Sequence, residues 1–95
     1  MSDSTQPDLS TPYVPIPCGD YEYIELACMD GCTVEVVADN GTVRGRAVDT
    51  AVDGQGEFLV LELGDGSRHL IRVDQIRKIV VLSNPRHFDE WDFRR

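Results

Sequence analysis

Basic residues are missing from the first part of this chain. Arg44 is the first of them, and Asp3, Asp8, Asp20, Glu22, Glu25, Asp30, Glu35 and Asp39 all precede it. With 9 Lys and Arg against 17 Asp and Glu, the 95 residues carry a formal net charge of −8. That balance excludes nonspecific affinity for nucleic acid, whose phosphates bind proteins by exchanging counterions for Lys and Arg. An acidic surface seeks basic partners instead, and a protein groove that holds nucleic acid is one class of them, because carboxylates can take the place of phosphates there. Long apolar runs are missing too. Nothing approaches the ~20 residues of a membrane span, and MSDSTQPDLS has neither the positive n-region nor the apolar h-region of a secretory signal, so a cytoplasmic location and no membrane partner are expected. Cysteine is scarce and odd in number. Cys18, Cys28 and Cys32 in a reducing compartment make no disulfide framework.

The motifs of chemistry are equally sparse. There is no GxSxG elbow, no HExxH and no phosphate-cradling Gly-rich loop, and no nucleophile stands beside a base, so the chain is expected not to be an enzyme. Cys28 and Cys32 are four apart, with Cys18, His69 and His87 elsewhere, but neither a CxxC nor an HxxxH pair is present. Buried apolar cysteines are the better reading than a zinc site, and no metal or cofactor is expected.

What is present is one domain's worth of alternating pattern, with 41% hydrophobic and 27% charged residues. Pro7, Pro12, Pro15 and Pro17 mark residues 1–13 as an extended, flexible leader. Asp20 then reads as an N-cap for a short helix over YEYIELACMD that stops at Gly31. Tyr21, Ile24, Ala27 and Cys28 share one face of it, with Glu22 and Glu25 together beside that face. Acids in the first turns are favoured by the helix dipole, which accounts for part of their presence. From Thr33 the period changes to two. TVEVVA, TVRGRAVD, EFLVLEL and SRHLIRV read as four meandering strands, with turns at Asp39–Gly41 and Gly64–Gly66 and a loop over Asp49–Gly56. A polar turn at Asp74–Gln75 leads to a fifth strand rich in Ile and Val. A helix followed by five short strands predicts a mostly β fold closed as a small barrel over residues 14–83. Arg68, Arg72, Arg77 and Lys78 are expected to alternate outward and pair with the surplus acids. In the tail, residues 84–95, Phe88, Trp91 and Phe93 have the spacing of one helical face.

The segment Pro15-Ile16-Pro17-Cys18-Gly19-Asp20-Tyr21, continued by Ile24-Glu25-Leu26-Ala27-Cys28, resembles the opening of the Rof family of bacterial Rho inhibitors, P-I-x-C-x-D-Y-x-x-L-E-L-A-C. The likeness continues through Glu57–Glu62 and Val73–Ile76 and spans about Tyr13 to Leu82. It implies an Sm-like five-stranded barrel with an N-terminal helix. It also implies a protein that binds the hexameric termination factor Rho and hinders RNA capture at Rho's primary RNA-binding sites; the free protein is expected to be a monomer. Partner contacts are expected from Asp20, Glu22, Tyr23 and Glu25 on the helix by the resemblance, and from Asp53 and Gln55 on the loop by inference. Ile24 replaces the usual Leu, Gly19 stands where an acid can occur, the loop lacks basic residues, and the aromatic tail after Pro85 is expected to be specific to this chain. That tail is placed to cover a barrel edge. The alternative, an RNA-binding Sm-like module, shares the fold but needs basic clusters that residues 1–43 do not hold.

Overall fold

The computed structural model describes residues 9, 11–84 and 87–93, so most of the expected leader lies outside the described residues. Its single α-helix among them, α1, runs from Cys18 to Asp30. It starts earlier than an Asp20 cap would place it. Pro17 occupies the N-cap with φ −58° and no side-chain cap, and its carbonyl accepts the N–H groups of Asp20 and Tyr21 at 3.0 and 3.1 Å. Proline suits this position because its φ is already set and it has no N–H to lose. Asp20 therefore sits within the first turn, and its carboxylate is free to serve another group. The other end is as expected: Gly31 adopts the left-handed conformation at φ 63°. Gly31 N–H donates to Cys28 and Cys32 N–H to Ala27, the paired bonds of a Schellman stop. Ile24 and Ala27 are buried, with Tyr21 and Cys28 packed beside them. Burying a side chain such as Ile24 contributes about 1.5–3 kcal/mol, so the apolar face holds α1 on the sheet.

The sheet is antiparallel with strand order β4-β3-β2-β1-β5-β6. The strands are β1 (Thr33–Ala38), β2 (Gly41–Asp53), β3 (Gly56–Glu62), β4 (Arg68–Arg72), β5 (Ile76–Val81) and β6 (Glu90–Asp92). The first five follow the expected meander, and a 3-10 turn over Val73–Gln75 links β4 to β5. Among the described residues the sheet has six strands rather than five, and its order begins at β4 and ends at β6, so it is not closed into a barrel there. Alternation sets the core: Val34, Val36, Val43, Ala47, Leu59, Leu61, Ile71 and Ile79 are buried together, whereas Arg44 and Arg46 on the opposite face of β2 are exposed.

Three expectations require correction. The loop over Asp49–Gly56 is instead the continuation of β2, which pairs with β3 as far as Asp53↔Gly56, leaving Gly54 and Gln55 as the turn. A register shift between Ala47 and Asp49 resets the pairing, and Thr50 and Val52 suit the extended backbone that follows. Arg72 does not face outward. Its side chain is 2% exposed and its Nε donates to Asp74 Oδ1 at 2.7 Å. Arg77 and Lys78 do pair at the surface, with Asp39 and Glu90. The tail, finally, forms a strand instead of a helix. Glu90-Trp91-Asp92-Phe93 alternates exposed and covered residues, and the open edge of β5 offers ladder partners: Val80↔Glu90, Ile79↔Trp91 and Lys78↔Asp92.

Candidate functional site

Helix α1 lies with its apolar face on the sheet, which turns Glu22 and Glu25 to solvent. Neither of these carboxylates is engaged in an ion pair among the described residues, and no Lys or Arg occurs on the helix. Among the described residues, then, no group of opposite sign is paired with either carboxylate, and both are exposed to a partner.

The first turn is built differently. Trp91 of β6 donates its indole N–H to Asp20 Oδ1 at 3.0 Å. The same indole stacks on Tyr23, with ring centroids 3.9 Å apart and planes 9° apart. Phe88 meets the Tyr23 ring edge-on at 5.0 Å. Asp20 and Tyr23 are thus held in one cluster by the tail, and Asp20, Glu90, Trp91 and Asp92 line a shallow open groove beside it. At the other end of the helix, His87 Nδ1 lies 2.7 Å from Asp30 Oδ2, a second contact between tail and helix. Phe88, Glu90, Trp91 and Asp92 are contributors that the helical spacing of Phe88, Trp91 and Phe93 does not predict; the period-two alternation of Glu90–Phe93 is the signal that points to them.

Asp53 and Gln55 stand apart from that cluster, at the β2–β3 turn. Asp53 Oδ1 accepts the Gln55 N–H at 2.7 Å, which shapes the turn. Tyr13, Pro15, Val52, Asp53, Gly54, Gly56 and Glu57 line one shallow hollow, so the hairpin tip lies beside the segment that leads into α1. The helix itself meets β2 further along, where Cys28 Sγ donates to the Asp49 carbonyl at 3.4 Å.

The thiols are unlike one another: Cys18 is exposed, Cys28 half-buried and Cys32 buried. Burial, aided by the nearby Asp49 and Glu25 carboxylates, pushes the Cys28 thiol up to about 11. Such a thiol is a poor nucleophile and a poor metal ligand at neutral pH. Among the described residues no group of three or more His, Cys, Asp and Glu side chains is arranged to hold a metal ion. No helix among them is long and apolar enough to cross a membrane.

Comparison with known families settles the affiliation. The family described as "Modulator of Rho-dependent transcription termination (ROF)" matches residues 15–93. The chain belongs to the ROF family. Among solved structures it is similar to YaeO from Vibrio cholerae O395, determined bound to magnesium. That likeness has 30% sequence identity and a TM-score of 0.68, and it covers 76% of this chain and 95% of YaeO. The curated proteins give no match. As a ROF family member, the chain belongs with regulators of transcription termination and not with a family of enzymes. The ROF match reaches Phe93, so it takes in β6 as well as α1 and the five-strand meander, and it corrects the expectation that the aromatic tail is specific to this chain.

Proposed function

We propose that this protein inhibits Rho-dependent termination by laying the acidic face of α1 on the basic surface through which hexameric Rho captures RNA. Glu22 and Glu25 supply charge in place of RNA phosphates, Asp20 and Tyr23 extend the contact at the first turn, and the Asp53–Gln55 hairpin tip reaches a neighbouring part of Rho. The observation that carries this reading is the pair Glu22 and Glu25, exposed on a helix without one basic residue. Complementary charge accelerates encounter and rejects wrong partners. The RNA-binding alternative is disfavoured because the two exposed arginines of β2 face acids of the same sheet, Arg44 with Glu35 at 3.7 Å and Arg46 with Glu62 at 2.8 Å.

Gel filtration of the protein with Rho, with and without a single-stranded RNA, tests the reading. It predicts co-migration with Rho, displacement as RNA is added, and no retention of RNA by the protein alone at physiological salt. A complex indifferent to RNA would place the contact away from the capture surface. RNA retained at micromolar protein would support the RNA-binding module instead.

A further inference from the structure

Helix α1 begins without a side-chain cap, on Pro17, so its first turn takes its orientation from what it packs against. The tail supplies that support. Strand β6 is fixed to the edge of β5 by its ladder and by Phe93, which is buried, donates its N–H to the Arg77 carbonyl at 2.8 Å, and joins the main core. With its own backbone immobilised, Trp91 projects one indole that touches two candidate contact residues at once, Asp20 through the N–H and Tyr23 through the ring face. A hydrogen bond to a carboxylate is directional and stronger than one between neutral groups, and a stacked pair fixes the plane of the tyrosine ring.

We propose that Trp91 is a positioning residue for partner recognition: it sets the direction of the Asp20 carboxylate and the plane of Tyr23, making β6 a working part of the surface that docks a basic protein partner. The proposal rests on the Rho-docking reading above. It predicts that recognition depends on the link between tail and helix, in addition to the charge on the helix.

Trp91 is the only tryptophan in the chain, which makes the test clean. Trp91→Phe keeps one ring to stack on Tyr23 and removes the N–H donor together with the second ring of the indole. Rho binding of the full chain should weaken about tenfold, the order expected when one charge-assisted hydrogen bond no longer orients its acceptor, while thermal unfolding stays nearly unchanged. Because Trp91 acts through Asp20, the same substitution in an Asp20→Ala background should weaken binding by less than about twofold more. Unchanged binding by Trp91→Phe, a full additional loss in the Asp20→Ala background, or a loss matched by a large fall in melting temperature would each overturn the proposal. A second measurement needs no partner. The chain labelled with 5-fluorotryptophan gives one fluorine resonance, which should shift on Asp20→Ala; a resonance that stays in place would remove the clasp whatever Rho does. If the labelled protein shows the clasp and the wild type does not bind Rho, the docking reading fails first and the proposal falls with it.

Discussion

Two aromatic clasps tie outlying segments to the same sheet at opposite ends of its strand order, and they differ in depth. At the β3–β4 side, the Tyr13 hydroxyl donates to Glu57 at 3.0 Å and its ring lies over the Arg72 guanidinium. Arg72 is itself buried with Asp74 and also donates to Thr11 Oγ1 and the Pro12 carbonyl. At the β5–β6 side, Trp91 holds Asp20 and Tyr23 in a half-exposed cluster. Both clasps use a ring and a carboxylate. In the first, charge is withdrawn from water, and its loss must register in folding. In the second, charge stays at the surface, where it can register in binding.

The sharpest way to break this contrast is to remove the buried charge. Arg72→Met keeps most of the volume but leaves Asp74, whose side chain is 7% exposed, without its guanidinium. Deleting one partner of a buried ion pair costs about 3–5 kcal/mol, so the urea midpoint should fall steeply. Gly56→Ala attacks the same clasp from the other strand. Gly56 has φ 132°, and an added Cβ would stand 2.6 Å from the Tyr13 ring. Backbone strain alone contributes about 1–3 kcal/mol there. Either variant unfolding at the wild-type midpoint would show that the clasp is not a folding element.

Charge reversal on the exposed helix should do the opposite. Glu22→Lys with Glu25→Lys is expected to weaken Rho binding by about one to two powers of ten, with stability changing by about 0.5 kcal/mol or less, as is usual for surface sites. Binding by the wild type should also decline as salt is raised, since exposed charges are screened over about 8 Å at physiological ionic strength. Glu62→Lys is the control. Glu62 is held below the usual carboxylate range by its hydrogen bond from Arg46, lies on β3 instead of the helix that carries Glu22 and Glu25, and should leave binding nearly intact. Equal losses at the two places would mean that net charge, not the helix face, is being read.

How much of this was legible beforehand follows the range of the interactions. The helix face of Tyr21, Ile24, Ala27 and Cys28, the stop at Gly31 and the alternation of β1 are local patterns, and they appeared where expected, whereas β3 buries Phe58 to Leu61 in succession. Three features depended on residues far away in sequence. The strand β6 exists because β5 offers an edge to three residues too few to be stable alone. Arg72 turns inward because Asp74, Thr11 and Pro12 meet it there. Asp20 forgoes capping because Pro17 already starts the helix and Trp91 engages its carboxylate. Of the six candidate contact residues, four lie on one short helix, where a sequence pattern can gather them. The placement of Asp53 beside the helix approach required the full length of β2, which no local signal gave.

An alkaline titration probes the buried clasp more gently. Burial, followed by the hydrogen bond and charge of Glu57, raises the Tyr13 hydroxyl to about 12. The folded state therefore keeps this proton more tightly than the unfolded chain, whose tyrosines ionise near 10. The stabilising contribution is fully present below about pH 10 and is lost as pH rises from there toward about 12. Chemical denaturation at pH 9 and pH 11 should show a larger drop for the wild type than for Tyr13→Phe. Parallel drops would mean that Tyr13 titrates as a solvent-exposed residue.

The smallest expected effect separates the clasp at Trp91 from the packing behind it. Cys18 is exposed at the start of α1, whereas Cys28 faces β2 and donates to the Asp49 carbonyl. Raised from 9.0 to about 11, the Cys28 thiol has about a hundredfold less thiolate at pH 8 than an unshifted one, and only the thiolate alkylates. Iodoacetamide should therefore modify Cys18 first and leave Cys28 largely intact, as peptide mass mapping would reveal. Trp91→Phe should not change that order. Ile24 and Ala27 hold this part of the helix through burial, and the indole orients only the first turn. Rapid alkylation of Cys28 in Trp91→Phe would mean that the tail supports the whole helix, and the distinction between a clasp for recognition and one for folding would collapse.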